Sequence, residues 1–189
     1  MFLSETIETP PRRPSRKMLI SVGVVAAIVL ITVVSVLTGG RATNSPTNVL
    51  VGKNVKGFTL AGLNGGKVRA PWESGHAGVL IFFASYCGPC KSEMPQIATY
   101  IRTHSPSPVE VIAVDADDKV SPAKSMIKKD DVTFPVASDP NGNVTTGIFG
   151  FGALPESVFV NAKGVVTQVY IGAIPKKQLA GGIVKLKSA

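Results

Sequence analysis

The chain has 189 residues, with 20 Lys and Arg against 12 Asp and Glu, giving a net charge of +8. That length allows one domain of ordinary size beside a short N-terminal region, and basic residues scattered without interleaved aromatics exclude a nucleic-acid-binding surface. Two cysteines and two histidines, His76 and His104, are the whole supply of soft ligands, and they lack finger spacing, so no metal or cofactor is expected.

Residues 1–17 read as a polar tail ending in Arg12, Arg13, Arg16 and Lys17. Met18 to Gly40 then carries no charge, and a helix of about 20 residues at ~1.5 Å rise spans ~30 Å, the thickness of a bilayer core. Residues 18–38 are therefore expected to be a single-pass anchor in the cytoplasmic membrane, longer than the core of a cleaved signal peptide. Positive charge before the segment and only Arg41 soon after it orient the tail inward and the rest of the chain outward. Residues 39–48, rich in Gly, Thr, Asn and Ser, read as a flexible linker.

Residues 49–189 read as one extracytoplasmic domain, with 15 Lys and Arg against 10 Asp and Glu. Phe58 to Leu60, Gly65-Gly66 and Lys67 to Arg69 suggest a small hairpin. Val79 to Ala84 is continuously apolar, the pattern of a buried strand. Gly88 to Arg102 reads as a helix with Pro95 inside it. Val109 to Val114 is a second strand, and Ser121-Pro122 is expected to open a helix through Lys129, serine as cap. Glu156–Val160 and Val165–Ile171 form an antiparallel pair turned at residues 161–164, and Pro175 to Leu186 closes as a helix. Strand, helix, strand, hairpin and helix make a mixed α/β sandwich with helices on both faces.

The chemistry concentrates at Tyr86-Cys87-Gly88-Pro89-Cys90, where strand gives way to helix. A thiol at a helix N-terminus faces unpaired N–H groups and the positive end of the dipole, which favour its thiolate. A cysteine three positions on lies one turn later, within disulfide reach. Pro89 suits the first turn, where its missing N–H has no helical partner. A structural disulfide closing so short a loop would restrict the unfolded chain little. Two inert thiols would not account for the Gly-Pro spacer at a helix start. The pair reads as a redox switch in which Cys87 attacks and Cys90 resolves.

Phe82 through Pro95, with this motif at its centre, resembles the strand, active site and proline-bearing helix of thioredoxin-fold proteins. The likeness extends to the membrane-tethered TlpA/ResA/CcmG-like thiol–disulfide oxidoreductases of the bacterial cell envelope. Phe134-Pro135-Val136 and Ser138 to Gly142 resemble that group's insertion. Gly152-Ala153-Leu154-Pro155-Glu156-Ser157 resembles the loop carrying its cis-proline. The resemblance implies a thioredoxin-like fold, an exposed nucleophile at Cys87 and a buried resolving thiol at Cys90. It also implies a cis-proline at Pro155 facing the disulfide, and an acid at Glu156 that moves a proton as Cys90 attacks. Glu93 fits the family pattern and reads as packing or pairing on the helix surface. Two positions depart from the pattern: Tyr86 stands where tryptophan is usual, and Ile81 where plain thioredoxins hold an acid.

The expected function is that of an extracytoplasmic dithiol reductase. It would take electrons from a membrane electron donor and pass them to client protein disulfides, such as those of an apocytochrome c awaiting haem. One alternative is an oxidase or isomerase of secreted-protein disulfides. Another, of a different class, is a tethered interaction or chaperone module with vestigial cysteines. A redoxin-type peroxidase would need a proline-threonine-cysteine setting that Ser85-Tyr86-Cys87 does not provide.

Overall fold

The computed structural model describes residues 49–150 and 152–188. The expected tail, membrane anchor and linker at 1–17, 18–38 and 39–48 lie outside the described residues. Among those described, no helix is long and apolar enough to cross a membrane.

In chain order the elements are β1 (Thr59–Gly62), β2 (Lys67–Arg69), a 3-10 turn (Pro71–Ser74), β3 (Ala77–Phe83) and α1 (Gly88–Thr103). There follow β4 (Val109–Ala116), α2 (Val120–Lys129), β5 (Val136–Asp139), β6 (Glu156–Val160), β7 (Val166–Ile171) and α3 (Lys176–Lys187). The strands form one sheet in the order β2-β1-β5-β4-β3-β6-β7. β3, β4 and β5 run parallel, while β6 is antiparallel to β3.

All seven residues of β3 are buried, because it lies between β4 and β6 and is covered on both faces. Its side chains divide strictly by parity. Val79, Ile81 and Phe83 join a layer with Ile97 of α1, Met126 of α2 and Leu179 of α3. Leu80 and Phe82 join the opposite layer with Phe58, Val144, Phe149 and Val158.

Among the described residues, all three α-helices thus bury against one face of the sheet, which corrects the expectation of helices on both. The other face is closed by the chain around Val55–Phe58, by Trp72 of the 3-10 turn and by a run of turns at 143–149. Edge-to-face contacts join Trp72 to Phe58 and to Phe149. Two further elements differ from expectation. α2 starts at Val120 with Lys119 as its N-cap. Ser121 therefore sits inside the first turn and caps nothing, and Pro122 is tolerated because those first N–H groups have no helical acceptor. The expected insertion supplies a strand, since β5 pairs with β4 on one edge and with β1 on the other.

The contact between α3 and the sheet depends on Gly182. A Cβ there would overlap the Phe159 ring, which is fully buried beneath it. Gly182→Ala is expected to destabilise the domain by about 1–3 kcal/mol, and a denaturant melt at fixed pH measures it.

Candidate active site

The topology gathers one edge of the sheet. Parallel β3, β4 and β5 all end there, and antiparallel β6 begins there, with Phe83 opposite Asp115, Asp115 opposite Ser138, and Phe82 opposite Glu156. Open α/β sheets place their chemistry beyond strand C-termini of this kind.

Cys87 is the N-cap of α1, in extended conformation, and its Sγ accepts the Cys90 N–H at 3.2 Å. Pro89 occupies the first turn and no acidic residue stands in it, so the helix end offers the sulfur uncancelled positive potential. Cys87 and Cys90 form a disulfide with their Cα atoms 5.3 Å apart. The two sulfurs differ in access: Cys87 retains 8% exposure and Cys90 none. Cys87 is thus the more accessible of the pair, though far less exposed than the family resemblance implied. Gly88 is open, with nothing near enough to meet an added Cβ.

The Leu154–Pro155 bond is cis, and Pro155 is buried at the head of β6. Its carbonyl accepts the Gly172 N–H at 2.8 Å, tying the loop to the end of β7. Glu156 is also buried, at 1% exposure. One of its oxygens accepts the Gly152 N–H, Oε1 has no partner, and burial raises its pKa. Glu156 pairs in register with Phe82, whose ring belongs to the layer opposite the helices, whereas Cys90 belongs to the helix layer.

One carboxylate in the helix layer is Glu93. It lies one turn after Cys90 on the buried stripe of α1 and is only 3% exposed, which corrects its expected place on the helix surface. Its Oε2 accepts the Ile174 N–H at 2.7 Å, while Oε1 has no partner. Burial pushes its pKa up to about 7, against the pull of the Ile174 hydrogen bond. The signal was present in the spacing, because position 93 continues the 90, 94, 97 face. Ile81 is fully buried in that same layer and supplies no acid there.

Tyr86 is 64% exposed and stands between two clefts. One is lined by Ser85, Asp117, Asp118 and Pro122, the other by Pro140 to Gly142 and Thr146. Partial burial and then Asp117, Asp118 and Asp115 raise its pKa. His76 is engaged by Glu110, and His104 stacks on Tyr100 with ring centroids 4.1 Å apart. Among the described residues no three His, Cys, Asp or Glu side chains converge to hold a metal ion.

This arrangement, a helix-capping Cys-Gly-Pro-Cys disulfide and a cis-proline loop at the same end of a mixed sheet, defines a thioredoxin-fold dithiol–disulfide protein. The AhpC/TSA family profile matches residues 51–169. The chain is 33% identical over 136 residues to the thiol–disulfide oxidoreductase ResA of a Bacillus cereus strain, covering 72% of this chain and 78% of that one. It is similar in structure to a putative thiol:disulfide interchange protein DsbE from Chlorobium tepidum, at 28% identity and a TM-score of 0.64, covering 72% of this chain and 96% of that one. It also resembles StoA from Bacillus subtilis, at 25% identity and a TM-score of 0.61, covering 67% and 96%. The chain belongs to the AhpC/TSA family and, within it, to the ResA-type thiol–disulfide oxidoreductases. It is an enzyme of that class, and client protein disulfides are its substrates.

Proposed function

We propose that the chain is a membrane-tethered reductase working outside the cytoplasmic membrane, anchored through residues 18–38 with its N-terminus inside. The observation that carries the catalytic part is the asymmetry of the pair: a helix-capping Cys87 with residual access, bonded to a Cys90 with none. In the reduced state the Cys87 thiolate attacks a client disulfide, forming a mixed disulfide and releasing one client thiolate, which takes a proton. Cys90 then loses its proton and attacks Cys87 Sγ, releasing the second client thiol. Two electrons pass to the client and the Cys87–Cys90 disulfide is formed. A membrane electron donor restores the dithiol, as the oxidising exterior requires.

Glu93 is the acceptor we assign to the Cys90 proton, since it lies one turn after Cys90 on the buried face of α1 and keeps an oxygen free. Glu156 takes second place for that role and braces the Pro155 loop through Gly152. Pro155 holds a client strand in register beside the disulfide, and Tyr86 borders the approach.

An apocytochrome c fits as client because its Cys-X-X-Cys-His segment must be reduced before haem attachment. Reduced protein mixed with an oxidised peptide of that pattern is expected to yield peptide dithiol. If it leaves the peptide oxidised, while the disulfide form oxidises a reduced unfolded protein, the oxidase reading replaces this one.

A further inference from the structure

Asp115, the penultimate residue of β4, has no exposure, and neither of its oxygens receives an N–H or O–H from any other described residue. Its neighbours across the sheet are Phe83 and Ser138. The polar group that acts on it is the carboxyl of Asp118, in the loop leading to α2. Two carboxylates have only acceptors, so a hydrogen bond between them requires one proton. Burial favours its residence on Asp115, which is held neutral up to about 7, whereas Asp118 is kept ionised by its donors. Those donors are the backbone N–H and hydroxyl of Ser85 and the Lys119 N–H. Ser85 stands two residues before Cys87. Asp117, between the two acids, has a positive φ of 48°, a conformation the loop must hold against local strain.

We propose that Asp115 and Asp118 are positioning residues: a carboxyl pair sharing one proton that clamps the Ser85–Tyr86–Cys87 turn, so that loss of the proton releases the turn and slows exchange at Cys87. With the proton present, the Asp115 O–H donates to Asp118, which in turn receives Ser85. Without it, two negative charges face one another at a dry strand end, and Asp118 is driven toward solvent with Ser85. Tyr86 and Lys91 on the turn and α1, Asp117 and Lys119 on the β4–α2 loop, and Lys129 and Asp130 at the end of α2 line the flanking clefts. The β5 neighbour, Ser138, carries no charge. Asp139 is committed to the Val144 and Thr145 N–H groups and the Thr145 hydroxyl.

The effect on exchange rests on Cys87 being the nucleophile, but the clamp itself does not, and two readouts keep them separate. The first is hydrogen exchange at the Ser85 amide of the oxidised full chain between pH 5 and 9, corrected for the intrinsic rate. The second is alkylation of Cys87 in the reduced full chain, corrected for its thiolate fraction. Ser85 protection is expected to fall at least tenfold across the window in the parent chain. Asp115→Asn, near-isosteric and carrying a permanent donor, should keep protection throughout, and Asp118→Ala should lose it at every pH. Corrected alkylation should follow the same order, with a several-fold drop at high pH that Asp115→Asn removes. Ser85 protection that is flat with pH in the parent chain, or unchanged in Asp118→Ala, overturns the clamp. Protection that changes as described with alkylation unaffected overturns its coupling to Cys87. Absence of alkylation in the parent chain at any pH would overturn the assignment of the nucleophile instead.

Discussion

Cys90→Ser is expected to convert the protein from a turnover catalyst into a trap. Cys87 keeps its place as N-cap of α1, and the backbone N–H of the substituted residue can still donate to its sulfur as that of Cys90 does now. Attack on a client disulfide therefore proceeds, but nothing resolves the mixed disulfide, and multiple-turnover activity should fall by at least ~10³-fold, as losses of a catalytic nucleophile do. Covalent client adducts should accumulate and dissolve on adding a thiol reductant. Cys87→Ser should lose activity equally yet form no adduct, since Cys90 has no exposure. Non-reducing electrophoresis separates the two outcomes. Adducts with Cys87→Ser but none with Cys90→Ser would exchange the roles.

Glu93→Gln is expected to slow resolution by about 10²-fold, at the lower end of what a positioned proton acceptor contributes, while leaving the first attack by Cys87 nearly unchanged. Single-turnover kinetics read the two steps separately. The same substitution has a signature in stability. Burial raises the Glu93 pKa from 4.5 to about 7, so between those values the native state binds more protons than the unfolded chain. Glu93 therefore contributes stability in full below pH 4.5, and the contribution is lost as pH rises through 7. Gln removes that dependence. The stability difference between parent and variant should change by on the order of 3 kcal/mol between pH 4.5 and 8, with the parent losing ground as pH rises. A constant difference across that window would show that Glu93 is not held neutral in the native state.

The parts of this fold that repeat a strong local pattern could be read from residues alone. Ala77–Phe83 is apolar at every position because both of its faces are covered. Cys87-Gly88-Pro89-Cys90 has a helix-start signature that the cap geometry of α1 matches. The β6–β7 hairpin turns at Asn161 to Gly164, where the Asn161 side chain accepts the Lys163 and Val165 N–H groups. What escaped was set by tertiary placement. β5 has four residues, Val-Ala-Ser-Asp, too short to show a period, and becomes a strand because β4 and β1 flank it. The missing helical cover on the second face follows from residues 143–149, which bury Val144 and Phe149 through successive turns.

Buried acids were the harder miss. A glutamate within a soluble helix ordinarily points to water, whereas Glu93 turns inward and accepts the Ile174 N–H. Asp115 is the penultimate residue of a strand whose preceding residues already alternate between two layers. Its parity placed it inside, but only the fold revealed Asp118 beside it.

The most direct test of the central claim, that Cys87 and Cys90 form a working redox couple, is a redox titration of the full chain. It would be equilibrated against thiol–disulfide buffers, with the thiol state read by mass after alkylation. The account predicts one reversible two-electron transition within the span of exchange proteins, about −270 to −120 mV, and towards its reducing end. A pair that stays oxidised until below about −300 mV would be a structural disulfide, and would contradict the account.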